Sequence, residues 1–213
     1  MSVTFSTISH FVRQDLRGTV VLPLGHVHQL FAGALGYGSH AAYQVAVSNG
    51  REVEDFDGAR HILPDDDLFM RRAIELGHGE SSALIGASIM RVIGRELPEV
   101  KLHQSEEDLA DEIRLSVEAD ISNSGEFSSA QAETNGGMAV FDLEFSSEEG
   151  VAEDAEEWGF DVSGSASLEH DEDRVYWGHE LNVTSRVVFP KLGRRVLGDF
   201  TVKDVGASVL PWR

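Results

Sequence analysis

Apolar positions in the first half of the chain recur at three- and four-residue spacing, the period of a helix with one buried side. Over residues 3–17 that side is Phe5, Ile8, Phe11, Val12 and Leu16, and Gly18 ends the segment. A second stripe, Val27, Leu30, Phe31, Ala34 and Leu35, follows Pro23, a residue suited to a first helical turn. Gly36 and Gly38 break this helix, and Ser39 is an N-cap for the next, which carries Ala42, Tyr43, Ala46 and Val47. Leu22 to Val47 therefore predicts two helices joined by a tight turn, a helix-turn-helix in the geometric sense.

The layout recurs further on. Asp65, Asp66 and Asp67 precede Leu68–Leu76 as acids at a helix start do, satisfying free N–H groups and the dipole. Gly77 and Gly79 interrupt, and a serine-led helix resumes up to Pro98. Ala32, Leu35, Gly36 and Gly38 are echoed at one constant offset by Ala73, Leu76, Gly77 and Gly79, a quasi-repeat of two helical hairpins.

Near residue 112 the period changes. Ile113, Leu115, Val117, Ala119 and Ile121 alternate with polar residues, which reads as a half-buried strand. A polar loop is expected over 122–137. Alternation returns at Ala139–Phe145, Phe160–Leu168 and Leu181–Phe189, and residues 194–210 hold one long or two short strands. Strands with no helix between them imply antiparallel pairing. The expected fold is α+β: a helical domain of packed hairpins over 1–111, then an antiparallel β-domain, sandwich or barrel-like, over 112–213.

Charge sharpens this division. The formal net charge is −20, and residues 101–213 hold nine basic against twenty-five acidic groups, while residues 1–50 are close to neutral. Such a surface repels nucleic acid and anionic lipid at long range. The absence of cysteine removes thiol catalysis, disulfides and zinc–thiolate sites. No apolar run approaches the roughly 20 residues a membrane span needs, and the first residues lack a signal-peptide pattern, so a cytoplasmic location is expected.

No convergent catalytic set stands out. The glycines of the first hairpin follow a helix and lack a Lys-Ser/Thr pair, unlike a phosphate loop. No Gly-x-Ser-x-Gly elbow occurs. His26, His28, His40, His61 and His78 lack the i, i+4 spacing with a carboxylate that catalytic zinc uses; His26 and His28 leave their helix on different faces. The acidic segments 148–157 and 169–173 do not fit a calcium loop and read as solvated loops or as a surface for a basic partner. The second helix of the opening hairpin offers Ser39, His40, Tyr43 and Gln44 but no Arg or Lys, which weighs against a DNA reader.

His28, Leu30, Ala32, Gly36, Tyr37, Ser39 and Ala42, at their spacing, resemble the bacterial "glyoxalase-related protein" helical module. Asp67, Leu68, Arg71, Arg72, Ala73, Leu76 and Gly77 look like a later element of such proteins. The likeness covers about 25 residues well and about 60 loosely, and none of the β-half. It implies a small bacterial helical domain that serves as an adaptor; it implies no glyoxalase activity, and the metal ligands of true glyoxalases have no counterpart here.

The expected function is thus a non-enzymatic adaptor whose acidic β-domain meets another protein, one with a basic surface. A helix-turn-helix DNA-binding regulator is the alternative, and a metal enzyme built on the histidines the third reading. No catalytic residue, metal ligand or cofactor is assigned. The one local candidate binding edge is His28, His40, Tyr43 and Gln44.

Overall fold

A computed structural model describes residues 2–52, 54–134, 137–147, 156–169 and 180–210. Most of the acidic segments 148–157 and 169–173 lies outside the described residues. The described residues form an α+β fold, with a helical N-terminal part followed by an antiparallel sheet.

The chain divides into two compact units. Unit 1 holds residues 1–105, 153–156 and 190–199; unit 2 holds 106–152, 157–189 and 200–213. The division begins at Ser105, a little before the expected 111/112 boundary, and the later chain returns briefly to unit 1.

Unit 1 contains α1 (Phe5–Asp15), α2 (Leu24–Ala34), α3 (His40–Ser48), α4 (Asp66–Glu75) and α5 (Ser82–Glu96). Its small sheet is β1 (His61–Ile62), flanked by parallel β2 (Lys101–Leu102) and antiparallel β6 (Val196–Leu197). The caps follow the sequence. Thr4, Ser39 and Asp65 accept from the backbone N–H groups of Thr7, Ala42 and Leu68. Pro23 is the N-cap of α2 rather than its first helical residue.

The two hairpin turns match in geometry. Gly36 and Gly77 both take left-handed φ, +84° and +78°. Behind each, the next N–H reaches back five residues, Tyr37 to the Ala32 carbonyl at 2.8 Å and His78 to the Ala73 carbonyl at 2.7 Å. This is the 6→1 bond of a glycine-capped helix end.

Val27, Leu30 and Phe31 on α2 are fully buried and pack with Phe5, Ile8 and Val12 of α1 and Ile85, Ile89 and Ile93 of α5. Burying each such side chain contributes about 1.5–3 kcal/mol. α2 and α4 approach closely at Gly33, where an added Cβ would stand 3.4 Å from the Phe69 Cα. Asp15 ties α1 to α5, accepting from Ser88 Oγ at 2.7 Å and from Arg91 at 2.6 Å.

Unit 2 contains α6 (Glu106–Ser122), α7 (Gly125–Ala132) and a four-stranded sheet. Its strands are β3 (Ala139–Ser147), β4 (Glu157–Leu168), β5 (Glu180–Pro190) and β7 (Thr201–Val209), in the order β3-β4-β5-β7. The strand expected over 113–121 is the second half of α6. Leu109, Ile113, Val117 and Ile121 are its buried i, i+4 stripe, while Leu115 is 77% exposed. The expected loop over 122–137 contains α7, which buries Phe127 and Ala130. The layer that a sandwich would give to a second sheet is therefore helical, α6 and α7 packing on the sheet.

Along β4 and β5 the inner positions Phe160, Val162, Ala166, Leu181, Val183 and Val187 are buried. The outward positions stay exposed: Asp142, Glu144 and Ser146 on β3, Asp161, Ser163 and Ser167 on β4, and Asn182, Thr184 and Arg186 on β5. Asp142 lies opposite Ser165, Glu144 opposite Ser163 and Ser146 opposite Asp161. Arg114 of α6 donates to the Leu143 carbonyl on edge strand β3 at 2.6 Å and lies over the Phe145 ring. A charged side chain on an edge carbonyl guards it against adding a further strand.

Candidate functional site

The opening hairpin remains the centre of interest, but its residues divide differently from the sequence expectation. His28, His40 and Tyr43 come together around Phe5. The Phe5 ring stacks on Tyr43 at 4.3 Å and on His40 at 5.3 Å, and His28 lies 4.7 Å from His40, centroid to centroid. Tyr43 is only 4% exposed, so this is the seam that fastens α3 to α1 and α2. Gln44 directly follows Tyr43 and lies one helical turn on from His40, and it is exposed.

The other histidines pair as well. His26 Nδ1 and His78 Nε2 are 2.8 Å apart, linking α2 to the turn after α4. His61 Nδ1 and His103 Nε2 are 3.0 Å apart between buried rings. In each pair one ring donates and the other accepts. Burial, and then the His40 ring, hold the His28 pKa below its usual value; burial lowers His40. Burial, then the His26 ring, lowers His78. Among the described residues no group of three or more His, Asp or Glu side chains is arranged to hold a metal ion.

Sequence reasoning missed a group that converges on the hairpin turn. Glu52, only 5% exposed, accepts from the Tyr37 hydroxyl at 2.7 Å and from the Arg194 backbone N–H at 3.2 Å. A Cβ on Gly193 would collide with the Glu52 carboxylate, so a glycine is what lets this strand of backbone close over the acid. Burial, and then Glu52, push the Tyr37 pKa far upward, so the phenol stays protonated as the donor. The Arg194 guanidinium lies over the Tyr37 ring at 4.7 Å and donates to the Gly36 carbonyl at 3.0 Å. Arg72 donates to the Gly38 carbonyl, and Arg195 pairs with Asp65 at 2.8 Å. Arginines from α4 and from the 190–199 segment thus brace the turn that the hairpin itself leaves without cations.

Beside this bracing lies a cleft of about 400 Å³. Its floor is Ala41, Ala42, Val45 and Ala46 of α3; Tyr37, Asn49, Arg51 and Arg194 complete the wall. Val45 is 60% exposed, and Ala41 and Ala42 are exposed as well. α3 therefore has two faces: Tyr43 inward, and Ala41, Ala42 and Val45 outward beside the polar Gln44 and Ser48. No nucleophile–base pair lines this cleft; what it offers is shape, apolar surface and positive charge at the rim.

No family model matches the chain, and no curated protein or solved structure does.

Proposed function

We propose that the chain is a non-enzymatic adaptor whose unit 2 presents an acidic surface to a basic protein partner. The observation that supports this best is the outward face of the sheet, where Asp142, Glu144 and Asp161 stand exposed among Ser163, Ser167, Asn182 and Thr184. Two basic residues share this face, Arg186 on β5 and, opposite it on β7, Lys203, which is paired with Glu157 at 3.2 Å. Residues 106–152 of the same unit hold thirteen acidic groups against Arg114 alone. Charge of one sign on a broad face steers an oppositely charged protein and rejects like-charged ones.

The test is calorimetric titration of the full chain with a lysine-rich peptide at low and raised salt, beside a variant carrying Asp142→Lys, Glu144→Lys and Asp161→Lys. The expected result is binding that weakens with salt and is lost in the variant. Equal binding by the variant, or none by the wild type, would remove the reading.

A further inference from the structure

The two edges of the unit 2 sheet are finished differently. Strand β3 has Arg114 on its Leu143 carbonyl. On β7 the register slips by one residue between Thr184 and Arg186, and Asp204 takes a φ of 51°. A bulge of this kind interrupts pairing locally and leaves a regular run over 206–209 beyond it. Leu210 N–H donates to the Glu180 carbonyl at 2.9 Å. Antiparallel pairs alternate between those that exchange main-chain bonds and those that do not. Counted back from Leu210, Ser208 and Gly206 face β5, opposite Asn182 and Thr184. Ala207 and Val209 therefore turn an N–H and a C=O each to the open side, where the described residues supply no further strand.

Beside this edge runs a groove of about 650 Å³ between α7 and β7. Ala130, Ala207 and Val209 give it short apolar side chains, and Glu126, Ser129 and Glu133 stand exposed along one side of α7. Ser129 donates its hydroxyl to the Gly125 carbonyl at 2.7 Å. No basic residue lines the groove, and among the described residues the carboxylates of Glu126 and Glu133 have no charged or hydrogen-bonded partner.

We propose that a protein partner adds an extended basic segment to β7 here, its main chain pairing with Ala207 and Val209 and its alternate side chains entering the groove. Alternate residues of a strand share one face. Lysines or arginines at every second position lay their aliphatic stems over Ala130 and Val209 and carry their charge to Glu126 and Glu133. The residues between them stand beside Ser208, where a hydroxyl such as threonine's pairs well across strands. A second copy of the chain fits worse, because it would bring Glu126 and Glu133 against themselves on a chain of net charge −20. The edge lies at the other end of the strand order from β3 and is distinct from the outward face of Asp142, Glu144 and Asp161.

The experiment is an NMR titration of the full chain with a peptide alternating threonine and lysine, in which threonine favours the extended form. Salt is held at about 0.15 M to screen long-range attraction. One control peptide carries glutamate for lysine. Another is N-methylated at its central residues, which keeps the charge and removes the main-chain donors. Glu126→Gln and Glu133→Gln, both at exposed positions, are combined in one variant, and circular dichroism confirms that it folds. The parent peptide is expected to shift resonances of residues 125–133 and 206–209, to bind the variant about fivefold more weakly, and to be the one peptide of the three that saturates. The inference is overturned if those shifts are absent, if either control binds as well as the parent, or if the variant binds equally. Shifts confined to Asp142, Glu144 and Asp161 would overturn it and leave the sheet-face reading standing, whereas shifts confined to 125–133 and 206–209 would uphold it without that face. Resonances of 206–209 that move when the free chain is diluted would give the edge to a second copy and overturn it.

Discussion

The hairpins α2–α3 and α4–α5 share a turn and differ in what they do with the second helix. Both turns use a left-handed glycine and a bond reaching back five residues. Yet α5 buries Ile85, Ile89, Val92 and Ile93, whereas α3 buries Tyr43 alone. One local device therefore serves two ends: α5 completes the core of unit 1, while α3 is fastened by its aromatic seam with Ala46 and Val47 partly buried beside it, and leaves Ala41, Ala42 and Val45 exposed.

The most severe way to break this comparison is to truncate the same chemistry on both helices. Ile89→Ala is expected to cost about 2–5 kcal/mol in denaturant unfolding, through lost burial and a cavity. Val45→Ala is expected to stay within about 0.5 kcal/mol of wild type. A large loss at Val45 would mean that α3 is a core helix after all.

Next in size is the brace behind the cleft. Tyr37→Phe removes one donor from a buried carboxylate and is expected to cost about 1–3 kcal/mol. Gly193→Ala forces a Cβ into Glu52 and should destabilise comparably. An unchanged unfolding midpoint in both variants would show that the Glu52 contacts hold nothing.

The turns themselves come third. Gly36→Ala and Gly77→Ala each place a side chain at left-handed φ, at a cost of about 1–2 kcal/mol. Similar losses at both would sharpen the repeat; a loss at one alone would reduce it to coincidence.

The smallest expected effect is in pH. His28, His40 and His78 have folded pKa values below their unfolded ones, so the unfolded chain binds more protons. Their contribution is present in full above the usual histidine value of about 6.5, and is lost as pH falls through the lowered folded values. Unfolding midpoints taken downward from neutral pH should therefore fall, and less so in His40→Phe, which keeps a ring against Phe5. Midpoints that rise over that range would contradict the burial of these rings.

The elements legible in the sequence were those where local signals agree. Ser39 and Asp65 announced helix starts, Gly36 and Gly77 announced ends, and the stripe through Val27, Leu30 and Phe31 identified the core. α6 was misread because Ile113, Val117 and Ile121 satisfy both a period of two and an i, i+4 stripe. Leu109 one turn earlier, with Ser105 and Asp108 at capping-box spacing, carried the signal for a helix. α7 is short and rich in small polar residues, so its pattern resembled a loop. The brace was beyond local reading altogether: Glu52 and Arg194 meet across a separation of 142 residues. The histidines were visible as a group, but their pairing across elements was not. Gln44, a polar group one turn on from His40, is exposed where Tyr43 is buried.

The central claim, that α5 completes the core of unit 1 while the outer face of α3 does not, meets its most direct test in Val45→Asp. Its unfolding free energy is measured in denaturant alongside wild type and Ile89→Ala. The account predicts a stability within about 0.5 kcal/mol of wild type for Val45→Asp and a loss of about 2–5 kcal/mol for Ile89→Ala. A loss at Val45→Asp as large as that at Ile89→Ala would contradict it.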